Sequence, residues 1–509
     1  MSGKFYITTP IYYANSAPHI GHAYSSVVAD SLARYHRLLG EDVFFLSGTD
    51  EHGAKVNRSA EEKGEEVRVF VDKNSKRFEE LNRVLQISND DFIRTTDQKK
   101  HWLGVYKIWE KIKEAGDIYM GTYKGFYCLG CESFITDKDL KNGKCAYHDV
   151  EPEVIEEENY FFRLSKYSDT LQKIIKEDQF KITPVARKNE TLSFIENGLE
   201  DISFSRPTKD IKWGIPVPGN PEHTIYVWSD ALTNYISALG YGRDEKLFNK
   251  FWPADVHVIA KDILRFHTVI WPAMLLSAGL PLPKEFLVHG FINVDGQKMS
   301  KTIGNVIDPF KVTEDYGADA LRYFFLRELS LFEDGDYTEE KFKSAYNANL
   351  ANGLGNYVSR IFKMAFSYFD GKIKKPTDIL LSSVPFREKE RESFSVPYVF
   401  EHVFWPEYEK NMDEIKISAA ADGVWGIISD LDTYIQNYEP FKLIKTDQEK
   451  TAAVLWSLFA GLADISWMIY PFMPETAEKI IKALGVEKRE KKWGDFSLKS
   501  IETLFKRKE

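Results

Sequence analysis

Cysteine is scarce in this chain: three residues in 509. So few, and an odd number, exclude a disulfide framework and point to a reducing compartment, the cytoplasm. A long uninterrupted apolar run is also missing, so no membrane span is expected. The first residues, Met1-Ser2-Gly3-Lys4, lead directly into an alternating stretch at Phe5-Tyr6-Ile7, with no signal or transit segment expected before it. An excess of positive charge is lacking as well. Lysine and arginine number 67 against 77 acidic residues, a formal net charge of -10. Bulk attraction to nucleic acid is therefore excluded as a binding strategy, and any RNA contact has to use local basic patches.

What is present is a chain of two to four domains' length with 43% apolar residues, enough for a sizeable core. Phe5 to Thr9 reads as a strand and His19 to Leu39 as a helix, with Val28, Leu32, Tyr35 and Leu39 at helical spacing and Gly40 closing it. Val43 to Leu46 is a short continuous apolar run, as in strands buried on both faces of a parallel sheet. Strand, helix, strand in this order predicts a doubly wound α/β domain. Residues 120 to 215 show no such alternation and read as an insertion. The pattern resumes with Thr224 to Trp228, Val256 to Ile259, a helix from Ile263 to Gly279 broken at Pro272, and a strand at Phe286 to Val288. Beyond about residue 340 helices dominate, apart from an expected irregular insertion at 375 to 410.

Two motifs carry chemistry. Pro18-His19-Ile20-Gly21-His22 opens the first helix, where free amides and the helix dipole favour a phosphate. Two imidazoles there suit charge building up on phosphorus, and Gly21 lets a flat ligand approach the backbone. Lys298-Met299-Ser300-Lys301-Thr302 follows a strand and the turn Asp295-Gly296. Two lysines on a loop hinged at that turn and at Gly304 suit clamping a polyphosphate. Alone, each motif is more simply a capped helix or a solvated basic turn; together, each after a buried strand, they describe one nucleotide site. A third constellation, Cys128-x2-Cys131 followed after thirteen residues by Cys145-x2-His148, uses every cysteine and has the spacing of a closed tetrahedral zinc site. An RNA-binding knuckle is the alternative, supported only by Lys138, Lys141 and Lys144.

Pro10-Ile11-Tyr12-Tyr13-Ala14-Asn15, His19 to His22, Gly48-Thr49-Asp50-Glu51-His52-Gly53, Tyr226 to Ala231 and Lys261-Asp262-Ile263-Leu264-Arg265-Phe266-His267 resemble the methionyl-tRNA synthetases, a class I aminoacyl-tRNA synthetase family. The resemblance spans residue 5 to about 485. It implies a split Rossmann-like catalytic domain at 1–115 and 224–290, an inserted zinc-bearing domain at 116–223, a lysine-loop and connecting segment at 291–340, and an α-helical anticodon-binding domain at 341–509. It implies His19, His22, Lys298 and Lys301 as catalytic. Asn15, Gly21 and Asp262 join His19, His22 and Lys301 around ATP with magnesium. Asp50 pairs with the substrate ammonium, Tyr13 and His267 approach the thioether, and Ile11, Trp228, Ala231, Leu232, Tyr235 and Ile263 form walls. Asn356, Arg360, Pro440 and Phe441 are implied at the CAU anticodon of initiator and elongator methionine tRNA. Phe441 stands where the family has tryptophan, Thr302 where it often has serine, and Ala260 where glycine is common. A pocket of this kind separates methionine from homocysteine by only about 10–200-fold. Relatives that dimerise often carry a further C-terminal domain, so a monomer is expected. Two other readings are a class I synthetase for another apolar amino acid, disfavoured by the short insert, and a non-catalytic RNA-binding relative, disfavoured by the retained His, Lys and Asp50.

Overall fold

The computed structural model describes residues 3–135, 140–146, 149–299, 304–389, 392–490 and 492–509. The chain forms two compact units, residues 1–291 and 292–509. His148, Lys301 and Thr302 lie outside the described residues.

The first unit is built on a seven-stranded parallel sheet. Its order is Lys181–Thr183, Glu285–His289, Val256–Ala260, Lys4–Thr8, Asp42–Asp50, and then both Tyr12–Tyr13 and Asp91–Arg94. Tyr6, Ile7, Phe45, Leu46, Val258 and Leu287 are buried, which is why these runs are apolar without alternation. The order reverses between Lys4–Thr8 and Val256–Ala260. The crevice outside the carboxyl ends of strands at such a reversal is where open α/β sheets bind ligands. The helix Ile20–Leu38 starts there, with His19 as its N-cap.

Two elements differ from the sequence reading. Lys181–Thr183, inside the segment read as an insertion without βα alternation, pairs with Glu285–His289 in the main sheet and sits between the helices Ser168–Lys176 and Val185–Glu196. A three-residue edge strand buries one large apolar side chain, Ile182, and leaves almost no periodic signal. The rest of the insertion is an antiparallel sheet around Ile118–Cys128 and Glu153–Phe162. Secondly, Thr224 to Trp228 is not a core strand. Asn220–Ile225 belongs to a separate antiparallel sheet, and Val227–Leu232 is a short helix. A buried apolar run of five residues fits either state. As expected, Ile263 to Gly279 is interrupted, with Pro272 where the helix restarts. A tight turn at Lys261–Ile263 leads into a wide π-type turn at Phe266–Ile270, and an α-helix restarts over Trp271–Ser277 with Pro272 in its first turn.

The second unit opens with a small sheet of Gln297–Lys298, Ile292–Val294 and Gly335–Tyr337. Asp295 and Gly296, at φ 51° and 72°, form the two-residue hairpin turn that an Asp-Gly pair favours. The remainder is chiefly helical. The described residues between 375 and 410 form the helix Asp378–Ser382, the paired strands Arg387–Lys389 and Glu392–Phe394, and the helices Val396–Val399 and Trp405–Asp413, which corrects the irregular reading. The expectation that no segment could span a membrane also fails by length and composition. Gln448–Ile469 has a mean hydropathy of 1.6, but 89% of that window is buried within the protein, as in a core helix.

Candidate active site

At the N-terminus of Ile20–Leu38 the two histidines cap the helix reciprocally. His19 Nδ1 accepts the Gly21 amide at 3.1 Å, and His22 Nδ1 accepts the His19 amide at 3.1 Å. The rings lie 3.8 Å apart. A neutral imidazole whose Nδ1 accepts carries its proton on Nε2, so the caps fix both rings in the tautomer that donates from Nε2. Asn15 is half-buried in the loop before this helix, and Asp262 is exposed in the turn after Val256–Ala260. Lys298 is exposed at the end of its short strand in the second unit.

Asp50 closes the strand Asp42–Asp50 and is buried. Among the described residues its Oδ1 has no hydrogen-bond partner, and neither does the buried hydroxyl of Tyr13. Burial pushes the Asp50 carboxyl well above the usual carboxylate range, and the nearby Asp230 and Glu132 push it further. Such a group lacks a cation, and a primary ammonium supplies both charge and donors. Beside it, Trp228 stacks flat on Phe266 at 3.6 Å and meets Tyr13 and His267 edge-on. Ala231, Leu232 and Tyr235 are buried, and Ile11 and Ile263 pack partly buried against the same core.

His267 does not present a donor to a ligand sulfur as expected. Its Nδ1 lies 2.9 Å from the Ile263 carbonyl and its Nε2 lies 2.7 Å from the Tyr235 hydroxyl. Burial lowers its pKa to about 4, so the ring is neutral. Nδ1–H then donates to Ile263, and Nε2 accepts from Tyr235. His267 orients Tyr235.

Sequence reasoning missed a second layer. Asp230, fully buried, bridges His52 Nδ1 at 2.6 Å and His101 Nε2 at 2.6 Å. The two imidazoles hold the Asp230 carboxyl below its usual pKa against the cost of burial. The bridge ties the loop after Asp50 to the helix bearing Trp228. Glu132 was missed too, and its neighbours Cys128 and Cys131 drew attention only as metal ligands. Nothing in the spacing of either residue marks it.

The sulfur atoms of Cys128, Cys131 and Cys145 converge within 4.8 Å of one another. Cys131 and Cys145 Sγ are 3.5 Å apart, too far for a disulfide of about 2.05 Å. Three ligands of a tetrahedral ion at about 2.3 Å stand roughly 3.8 Å apart, so the thiols fit one. Among the described residues only Ile135, with Phe126 and Leu140 partly buried, adds apolar support there.

In the second unit Asn356 and Arg360 lie on the helix Asn356–Phe369. Asn356 is exposed, and Arg360 is ion-paired with Asp432. Pro440 is buried at the start of Pro440–Leu443, while Phe441 is 44% exposed, unusual for so large an apolar ring.

Residues 5–142 and 136–362 match a family model described as tRNA synthetases class I (M), and residues 402–507 match the anticodon binding domain of methionyl tRNA ligase. The doubly wound sheet, the histidine pair at its first helix and this domain order define a class I aminoacyl-tRNA synthetase. The methionine–tRNA ligase of Thermotoga maritima is 44% identical over 503 residues, covering 96% of this chain and 77% of that protein. That of Rickettsia conorii is 41% identical over 491 residues, covering 96% and 94%. The structure of Mycobacterium tuberculosis methionyl-tRNA synthetase in complex with methionyl-adenylate superposes with a TM-score of 0.89 at 37% identity, covering 95% of this chain and 94% of that one. The chain belongs to the methionyl-tRNA synthetase family.

Proposed function

We infer that the protein is a methionine–tRNA ligase. The observation that carries the reading is the pair of buried, unpartnered oxygens on Asp50 and Tyr13, set in an aromatic pocket of the unit whose first helix bears the histidine pair. The ammonium of methionine pairs with Asp50, and its thioether lies among Tyr13, Trp228 and Tyr235 with walls from Ile11, Ala231, Leu232 and Ile263. Its carboxylate attacks the α-phosphorus of ATP. One O–P bond forms, the α–β bridge breaks, and pyrophosphate leaves with magnesium. The Nε2–H groups of His19 and His22 donate to phosphate oxygens as charge builds there. Lys298 and Lys301 neutralise the departing pyrophosphate. Asn15, Gly21 and Asp262 hold the adenosine and phosphates. The hydroxyl of the terminal adenosine of tRNA then attacks the methionyl carbonyl and AMP leaves.

Cys128, Cys131, Cys145 and His148 hold a structural zinc that braces the insertion, a use supported by the converging thiols. The tRNA is read at a CAU anticodon by Asn356, Arg360, Pro440 and Phe441, supported by the exposed Phe441 ring. The enzyme works as a monomer in the cytoplasm, where free thiols persist. Light scattering of the purified protein tests the monomer.

ATP–pyrophosphate exchange with methionine, homocysteine, leucine, isoleucine, valine and cysteine tests the assignment. Exchange is expected with methionine well above the others. A maximum with another amino acid overturns the methionine pocket, and none with any overturns the enzyme.

A further inference from the structure

Three consecutive residues of the cysteine knuckle reach the walls of the methionine pocket. Lys55 Nζ donates to the Gly130 carbonyl at 3.2 Å and lies 5.0 Å over the Tyr13 ring. Trp228 Nε1 donates to the Cys131 carbonyl at 3.3 Å. Glu132, fully buried, accepts the Lys55 amide on Oε1 at 2.8 Å. Lys55 is the second residue of the helix Ala54–Glu62, whose N-cap, Gly53, offers no side chain. A carboxylate from the knuckle thus caps the helix that follows Asp50 by four residues. Gly53 is matched to it: its φ is +99°, and a Cβ there would lie 2.3 Å from Glu132 Oε1. Glu132 itself sits at φ +49°, an uncommon conformation for a residue other than glycine, and such strain concentrates at functional sites. Its second oxygen, Oε2, is buried without a partner among the described residues, as are Tyr13 Oη and Asp50 Oδ1. Glu132 and Asp50 are also the two carboxyls whose charge acts most on the Tyr13 hydroxyl. Orphaned polar atoms this deeply buried are rare and call for a partner.

We propose that Glu132 is a positioning residue of the amino-acid site. Oε1 locks the backbone after Asp50, and Oε2 receives the Tyr13 hydroxyl when methionine fills the pocket. The knuckle thereby sets the shape of the site from behind. This rests on the methionine reading.

The test is a double-mutant cycle of Glu132→Gln and Tyr13→Phe, read as KM for methionine and for ATP in pyrophosphate exchange. Each single variant is expected to raise KM for methionine about tenfold while KM for ATP is unchanged, as for loss of one hydrogen bond to a charged group. The double variant is expected to be no worse than the worse single. A methionine KM equal to that of the unmutated enzyme in Glu132→Gln overturns the proposal, as do effects that multiply in the double variant. Should Glu132→Gln fail to fold, Glu132→Asp, which keeps the charge and shortens the reach, decides: a raised methionine KM with an unchanged ATP KM supports the proposal and an unaltered methionine KM overturns it. Absence of methionine-dependent exchange in the unmutated enzyme is the failure of the functional reading instead.

Discussion

His19 and His22 cap one helix through each other: the ring of His22 accepts the amide of His19, and the ring of His19 accepts the amide of Gly21. The same two hydrogen bonds that start the helix aim two N–H donors outward. Folding and chemistry are therefore separable at His22. His22→Ala is expected to lower kcat of pyrophosphate exchange by about 10²–10³-fold, the usual loss for one preorganised donor. The lost cap costs only about 1 kcal/mol of stability. Steady-state exchange set beside urea unfolding checks both; equal losses in each would refute the assignment.

Asp50 predicts a pH dependence. In the free enzyme burial raises its pKa, so the carboxyl holds its proton to higher pH than an exposed aspartate does. The methionine ammonium favours the ionised form, so binding releases that proton. Affinity is then greatest above the raised pKa and declines as pH falls through it. Calorimetric titrations in buffers of different ionisation enthalpy are expected to reveal proton release on binding. A heat that is independent of buffer would rule the linkage out.

Tyr235→Phe removes the one donor that His267 Nε2 has among the described residues, while Nδ1 stays held by the Ile263 carbonyl. A neutral buried ring nitrogen is left unpaired, at about 1–3 kcal/mol. Denaturant unfolding should register that loss, and the methionine KM should rise with it because Tyr235 lines the pocket.

The anticodon contact proposed for Phe441 distinguishes the two steps of the reaction. Phe441→Ala is expected to leave pyrophosphate exchange intact and to reduce kcat/KM for tRNA charging by about 5- to 150-fold, the worth of one base–aromatic stack of about 1–3 kcal/mol. A charging rate equal to that of the unmutated enzyme would move the anticodon contact elsewhere.

Chelation tests the knuckle. With so little apolar packing around Cys128, Cys131 and Cys145, loss of a bound ion is expected to open residues 128–148 to proteolysis before any other part of the first unit. Limited digestion with and without chelator, with zinc measured by atomic absorption, is the check.

The parts of this structure legible from sequence are those in which one local signal suffices. The first strand and helix declare themselves by periodicity, the hairpin at Asp295-Gly296 by turn chemistry, and the broken helix by Pro272. The three thiols gather as their spacing implies. What stayed hidden is tertiary. Lys181–Thr183 is too short to carry a pattern, and Val227–Leu232 is buried on all sides, so its apolar run reads equally as strand. Residues 375 to 410 look irregular because each of their elements is short and punctuated by Pro, Ser or charge. Glu132 and Asp230 gain meaning only from what they face, and no spacing along the chain encodes that.

The wide turn at Phe266–Ile270 holds one residue more than an α-helical turn, and wide turns of this kind often lie at functional sites. It lays Phe266 on Trp228 and His267 on Tyr235 from successive positions. Deleting a single residue there would restore the regular helical phase and turn the residues on one side of the turn by about 100° relative to those on the other, so that the contacts with Trp228 and Tyr235 are no longer made together. The seating of Trp228 and Tyr235 is thus held partly by the phase of a helix, a property that depends on the number of residues in the turn as well as on their identity.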